Sequence, residues 1–172
     1  MLEQEGQRLG VEAHTIEPVV LGGHVVSSSW IRLLLDRGEI ELATKCLGRR
    51  YRVRGKVVRG DGRGAQIGFP TANIAPPDGI ALPADGIYAA LVEAGGQVYG
   101  GMMHLGPLPT FGLNEQRIEV HLFDFHGCLL GQTVAVEFVA RMRDVERFDS
   151  PDQLIAQMQD DEQRARAILK EM

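Results

Sequence analysis

The stretch from Gly60 to Asn73 holds the densest set of groups able to handle a phosphate or a hard cation. Glycines at alternate positions, Gly60, Gly62 and Gly64, let successive backbone N–H groups turn toward one point without Cβ interference, which builds a concave anion site. A few residues on, Thr71 and Asn73 carry a hydroxyl and a carboxamide two residues apart. In an extended segment both project to the same face and offer oxygen ligands to a hard cation. Neutral oxygens hold Mg²⁺ poorly alone but suffice when nucleotide phosphates supply the charge. Taken singly, the loop is also compatible with an ordinary glycine-rich hairpin, and the Thr/Asn pair with a turn closed by side-chain to backbone bonds. No GxxxxGK[ST] motif is present and no GxGxxG opens a helix, so a P-loop is excluded and a dinucleotide fold disfavoured.

A candidate acid–base group lies further along. Ile118, Val120 and Leu122 share one face of an alternating run, leaving Glu119, His121 and Phe123 on the other. A carboxylate there is either solvated or aimed at a ligand. His121 and His104 read as hydrogen-bonded structural histidines. Cys46 and Cys128 lie far apart with no metal-ligand spacing, which suggests two reduced thiols rather than a disulfide or a zinc site.

The elements that must position these residues follow from periodicity. Ile16 to Leu21, broken by Pro18 and closed by Gly22 and Gly23, predicts a strand fragment and a turn. Ser27, Ser28 and Ser29 offer N-caps for a helix with Ile31, Leu34 and Leu35 on its apolar face, ending at Gly38; Ile40, Leu42 and Leu47 continue in a second helix that stops at Gly48. From Tyr51 the pattern alternates, with Tyr51, Val53 and Val57 opposite Arg52, Arg54 and Lys56. The basic set is read as the wet face of a strand, with phosphate contact as the alternative. Further strands are expected over 86–93, 97–105, 117–125 and 132–141. Short turns between consecutive strands favour an antiparallel sheet closed into a small barrel. At the carboxyl end Ser150 as N-cap, Pro151 at the first helical position and Gln153 at the capping-box position open a helix with an apolar stripe of Leu154, Ile155, Met158, Ile168 and Leu169, expected to pack on the barrel.

Composition bounds the rest. A chain of 172 residues with net charge −5 and 6% aromatics suits one well-buried domain and disfavours a nucleic-acid-binding barrel, which needs a basic groove and exposed stacking residues. No apolar run approaches the length of a membrane helix and no basic-then-apolar leader opens the chain, so a cytoplasmic protein with no membrane partner is expected.

At this point a family resemblance becomes specific. The glycine-rich loop leading to Gly68 through Asn73, then Leu82 to Tyr88, then Pro109 to Gly112, then Glu119 to Leu122, then Arg143 through Ser150 resemble, in order and spacing, the signatures of bacterial riboflavin kinases. The resemblance implies a mainly β fold, a six-stranded antiparallel Greek-key barrel with a carboxy-terminal α-helix and a helical amino-terminal appendage. It implies phosphorylation of the riboflavin 5′-hydroxyl by ATP and Mg²⁺ to give FMN and ADP. It assigns Thr71 and Asn73 to the metal, Gly60, Gly62, Arg63 and Gly64 to the ATP phosphates, Glu119 to the general base, and Arg143 and Glu146 to a flap over the flavin. Residues 1–48 resemble the tail of the adenylyltransferase module of the bifunctional family, with Ser27 to Arg32 matching its Ser-rich segment, and residues 49–172 the kinase domain. FMN but not FAD is the expected product. Ala65, His104 and Leu108 differ from the residues frequent in the family. The rival class is a barrel that binds flavin as a carrier or regulator without turning it over. Oligomeric state is left open.

Overall fold

The computed structural model describes residues 2–12, 14, 16–108 and 113–172. The Pro109 to Gly112 signature lies outside them. Six of the described strands close into an antiparallel barrel: β3 (Arg52–Val58), β4 (Ala72–Ala75), β5 (Gly86–Ala94), β6 (Gln97–Leu108), β7 (Leu113–Leu122) and β8 (Thr133–Arg143). Around the barrel the order is β3-β4-β7-β6-β5-β8. Strands β5, β6 and β7 form a meander and β8 returns beside β5, which is the Greek-key connection. The predicted mainly β barrel with a carboxy-terminal helix is therefore the observed architecture.

Alternation fills the barrel. Val53, Val57, Ile74, Tyr88, Val92, Met103, Leu105, Ile118, Val120, Val134, Val136 and Phe138 point inward and are buried together. A barrel this small is filled by its own side chains and has no lumen. Two helices, α2 (Ser28–Asp36) and α3 (Ile40–Leu47), contribute to that same core through Leu34, Leu35, Ile40 and Ala43. Each fully buried Leu or Ile contributes about 1.5–3 kcal/mol, so three of them are comparable with a domain's whole net stability. The helix pair is thus part of the barrel's fold as well as an amino-terminal element. Its caps are as expected: Ser27 Oγ accepts from Trp30 N at 3.2 Å, and Gly38 and Gly48 adopt left-handed φ values of +72° and +66° just past the helix ends.

Three local expectations are revised. The strand predicted over 16–21 is confined to β1 (Val20–Leu21), which pairs with β2 (His24–Val25) across the Gly22-Gly23 turn, because Pro18 has no N–H to give a ladder. A helix unforeseen in the sequence, α1 (Leu2–Leu9), precedes it. The glycine loop winds into one helical turn, α4 (Arg63–Gln66).

The long helix α5 (Pro151–Lys170) lies on the outer wall, where Ala165, Ile155, Met158, Ile168 and Leu169 meet Phe69, Ile87, Met102 and Phe123. Ser150 Oγ accepts from Gln153 N at 3.3 Å, while the Gln153 carboxamide accepts from Asp149 N, one residue before the cap. Two ion pairs fasten the helix. Arg166 makes bonds of 2.8 and 3.0 Å to Asp124 and stacks over Phe123. Near its middle, Arg143 Nη2 and Nε donate to Asp161 at 2.6 and 3.0 Å, and Gln157 Nε2 donates to the same carboxylate at 3.1 Å. Asp161 is 2% exposed, the sole charged residue buried so deeply among those described. Among the described residues no helix is long and apolar enough to cross a membrane.

Removing one member of a buried pair strands the other's charge, at a cost of about 3–5 kcal/mol, whereas replacing both by apolar groups is close to neutral. Arg143→Met is accordingly expected to lower the free energy of unfolding by about 3 kcal/mol, and Arg143→Met with Asp161→Leu to recover most of it. Urea titration followed by circular dichroism measures both.

Candidate active site

Ladder register brings together residues that are far apart in the chain. Asn73 on β4 pairs with Glu119 on β7, Glu119 with His104 on β6, His104 with Ile87 on β5, and Ile87 with Arg143 on β8. Their chain neighbours Ile74, Ile118, Val120, Met103, Leu105 and Tyr88 are buried in the core. Alternation therefore turns this row of five onto the outer wall, and all five line one cleft. Sheet geometry spaces them about 4.8 Å apart from strand to strand. The cleft is polar at the Asn73 and Glu119 end and apolar at the other, where Ile67, Ile87, Met102, Val145, Phe148, Leu154 and Met158 line it.

The loop from Gly60 to Pro70 forms one side of the polar end. Its glycines matter for space more than for an alternating backbone twist: of the first three only Gly62 has a positive φ, +69°, as the residue before α4. A Cβ on Gly60 would lie 2.1 Å from Asn73 Nδ2, and one on Gly64 would lie 2.2 Å from the Phe69 carbonyl oxygen. That carbonyl approaches because Phe69 N donates back to Gly64 O at 2.8 Å, closing the turn while the Phe69 ring plugs the core beneath. Asp61 ties the loop to the wall through Arg117 on β7 at 3.0 Å and also meets Arg63 at 3.6 Å. Asp61, Gly62, Arg63 and Gly64 all line the cleft.

Thr71 and Asn73 lie just before and within β4, as the extended reading required. Thr71 is held in place from behind: His121, also on the outer face of β7, bonds to the Pro70 carbonyl through Nδ1 at 2.8 Å and packs edge-on against Phe69. A carbonyl only accepts, so Nδ1 carries the proton. The Thr71 hydroxyl faces Glu119 and makes a long contact of 3.5 Å to Oε2. Burial pushes the Glu119 carboxyl above its ordinary range, and Asp61 pushes the same way. Arg117, the Thr71 hydroxyl and Arg63 only partly offset this. A half-buried carboxylate with a raised proton affinity, next to a hydroxyl and a carboxamide, is suited to accept a proton from a ligand.

A second cleft opens on the far side of the same two residues. Arg59, Gly60, Pro70, Leu122, Phe125, Leu129 and Leu130 line it together with Thr71 and Asn73. Thr71 and Asn73 are shared by both clefts. Among the described residues no group of three or more His, Cys, Asp or Glu side chains could hold a metal ion. The donors present, a Thr hydroxyl and an Asn carboxamide with one carboxylate nearby, fit a hard cation that arrives with phosphate oxygens rather than one caged by protein alone.

Arg143 and Glu146 both line the cleft, Arg143 inside its ion pair with Asp161 and Glu146 exposed on the segment over the apolar end. The basic face of β3 is a wet one, as read: Arg52 pairs with Glu93 and Glu137, and Arg54 and Lys56 are exposed. Sequence reasoning missed Asp161, His104, His121 and Arg117 as parts of the site. Asp161 had a signal: it falls on the apolar stripe with Leu154, Met158, Ala165 and Ile168, where a carboxylate needs a buried partner. His121 shares the face assigned to Glu119, whereas His104 lies on another strand, and which strands adjoin is set by topology.

Comparison with known proteins bears on what this site is. A family model described as riboflavin kinase matches residues 47–169. The bifunctional riboflavin kinase/FMN adenylyltransferase of Bacillus subtilis is 39% identical over 143 residues, which is 81% of this chain and 45% of that protein. Its counterpart from Haemophilus influenzae is 36% identical over 169 residues, covering 98% and 54%. A crystal structure described as a macrolide-efflux protein from Streptococcus pneumoniae superposes with a TM-score of 0.85 at 39% identity, covering 95% of this chain and 54% of that one. The chain spans about half the length of the curated relatives it matches. With the family model covering most of the chain and the barrel, the outer-wall cleft and the Thr71, Asn73 and Glu119 cluster falling within residues 47–169, the chain belongs to the riboflavin kinase family.

Proposed function

We propose that this chain transfers the γ-phosphoryl group of ATP to the 5′-hydroxyl of riboflavin, giving FMN and ADP. The observation that carries this reading is the junction of two clefts at Thr71 and Asn73, with Glu119 one strand away. Two substrates seated in separate clefts would meet only there. The more apolar cleft suits a flavin ring, with Arg143 and Glu146 at the edge of its cover. The second cleft, with the exposed Arg59 and the apolar Phe125, Leu129 and Leu130, suits a nucleotide.

Each residue's part follows from its chemistry. Glu119 takes the proton of the acceptor hydroxyl as that oxygen bonds to the γ-phosphorus and the β–γ bridging bond breaks, the bridging oxygen leaving on ADP. Thr71 and Asn73 would hold Mg²⁺, which when bound neutralises phosphate charge. Backbone N–H groups from Gly60 to Gly64, with Arg63, would orient the phosphates. Phosphoryl transfer needs little covalent help, so positioning and charge stabilisation supply most of the acceleration. His121 is a positioning residue that fixes Pro70 and hence Thr71.

Glu119→Gln keeps size and most hydrogen bonding but loses the proton acceptor. Its kcat is expected to fall about 10²-fold, the low end for a general base, because a loose transition state needs little early deprotonation. The base must be ionised to act and its proton affinity is raised by burial, so kcat/KM of the wild type should fall with decreasing pH through a value above the ordinary carboxylate range. That acid limb should be absent in Glu119→Gln. Steady-state kinetics across pH, with riboflavin titration to separate binding, check both; a folded variant with near wild-type kcat removes Glu119 from the mechanism.

Thr71→Ala and Asn73→Ala should raise the Mg²⁺ concentration needed for half-maximal rate and be partly rescued at high metal. Gly60→Ala should behave like Asn73→Ala, because its methyl group occupies the space of the carboxamide. Mg²⁺ titrations of initial rate measure all three, and defects equal at every metal level with unchanged nucleotide binding would contradict the ligand assignment.

A further inference from the structure

The glycine loop at the polar end of the cleft is tethered at two points. Its rear is fixed by Phe69, whose ring is buried and whose N–H returns to the Gly64 carbonyl at 2.8 Å. Its front is fixed by Asp61, whose Oδ2 accepts from Arg117 Nη1 at 3.0 Å. The span from Gly62 to Gly64 runs between the tethers and lines the cleft. Packing does not hold the start of that span: Gly62 has a left-handed φ of +69°, and a Cβ built there would meet no heavy atom within 4 Å. A chain that turns in open space keeps its direction through its neighbours, and here the neighbour with an anchor is Asp61.

The two ends of the front tether differ in rigidity. Arg117 stands on β7, which is laddered to β4 on one side and β6 on the other, and the next residue, Ile118, is buried in the core. Asp61 lies outside any strand or helix. Asp61 lines the cleft and Arg117 does not, so Arg117 acts on the cleft through Asp61. Ordering a backbone segment costs conformational entropy, and a loop ordered in advance spares an incoming ligand that cost.

We propose that the Asp61–Arg117 ion pair is a clasp that holds the loop in its phosphate-binding conformation before the nucleotide arrives, which makes Arg117 a positioning residue for ATP and not for the flavin. The inference rests on the riboflavin kinase reading.

The test is a double-mutant cycle read separately for the two substrates. Wild type, Asp61→Asn, Arg117→Gln, the double variant and Arg117→Lys are compared in kcat, in KM for ATP and in KM for riboflavin, with folding checked by thermal melt. Each neutralising variant should raise KM for ATP about three- to fivefold, the size that a partly exposed ion pair supports, and leave KM for riboflavin unchanged. The double variant should be no worse than the more affected single one, and Arg117→Lys, which keeps the charge, should recover part of the loss. Asp61 raises the proton affinity of Glu119 and Arg117 lowers it, so a change that both variants share does not arise there. Asp61 is on an exposed loop, and Asp61→Asn keeps the test alive if Arg117→Gln does not fold. Additive losses, a KM for ATP that is unchanged or lowered by Asp61→Asn, or equal rises for both substrates would overturn the clasp. Failure of the wild type to form FMN would overturn the kinase reading, and this inference with it; FMN formation with any of those three patterns would overturn this inference alone.

Discussion

A six-stranded barrel filled by its own side chains leaves a ligand only the outer wall. Tyr88, Met103, Val120, Val136 and Phe138 occupy the interior with essentially no exposure. An outer wall by itself is open to water, and a bare strand face cannot exclude solvent or grip a flat ring. Three additions turn it into a cleft: the Gly60 to Pro70 loop at one end, helix α5 along the side, and the segment 144–149 above. The attachment of α5 therefore matters as much as the barrel. Arg143 serves both needs, since its guanidinium holds the buried Asp161 of the helix while its side chain lines the cleft. Stability and the shape of the cleft are coupled through one residue.

Within that frame, register does the work of placement. A closed antiparallel ladder fixes Asn73, Glu119 and His104 at strand spacing, and the filled interior prevents the slip by one residue that would turn them inward. The electrostatics then follow from position. Glu119 is half-buried in the cleft beside the Gly60 to Pro70 loop, so desolvation outweighs the pull of Arg117 and its proton affinity rises. Asn73 has room because residue 60 is a glycine, and Thr71 has its orientation because His121 ties down Pro70.

Much of this was legible in the amino-acid order. Alternation placed Glu119 opposite Ile118 and Val120, and the spacing of Thr71 and Asn73 put both on one face of an extended segment. The caps at Ser27, Gly38, Gly48 and Ser150 were each marked by a residue type with a geometric reason to be there. What escaped was long-range or context-dependent. The row from Asn73 to Arg143 joins strands distant in sequence, and no local pattern says that β4 pairs with β7 rather than β5. The turn of α4 contains Gly64, follows Gly60 and Gly62 and precedes Gly68 and a Phe-Pro, all of which argue against a helix locally; it forms because Phe69 buries its ring and returns its N–H to Gly64. Asp161 escaped notice because its partner, Arg143, lies on another element.

In the proposed reaction two clefts on the outer wall deliver a phosphoryl donor and a flavin acceptor to one point. The most direct measurement is to incubate the purified chain with riboflavin, Mg²⁺ and ATP labelled at the γ-phosphorus, then separate the flavins and follow the label with time. One label per FMN formed and an equal amount of ADP are expected. Riboflavin that binds yet remains unlabelled, with ATP intact, would contradict it and leave a barrel that carries flavin without chemistry.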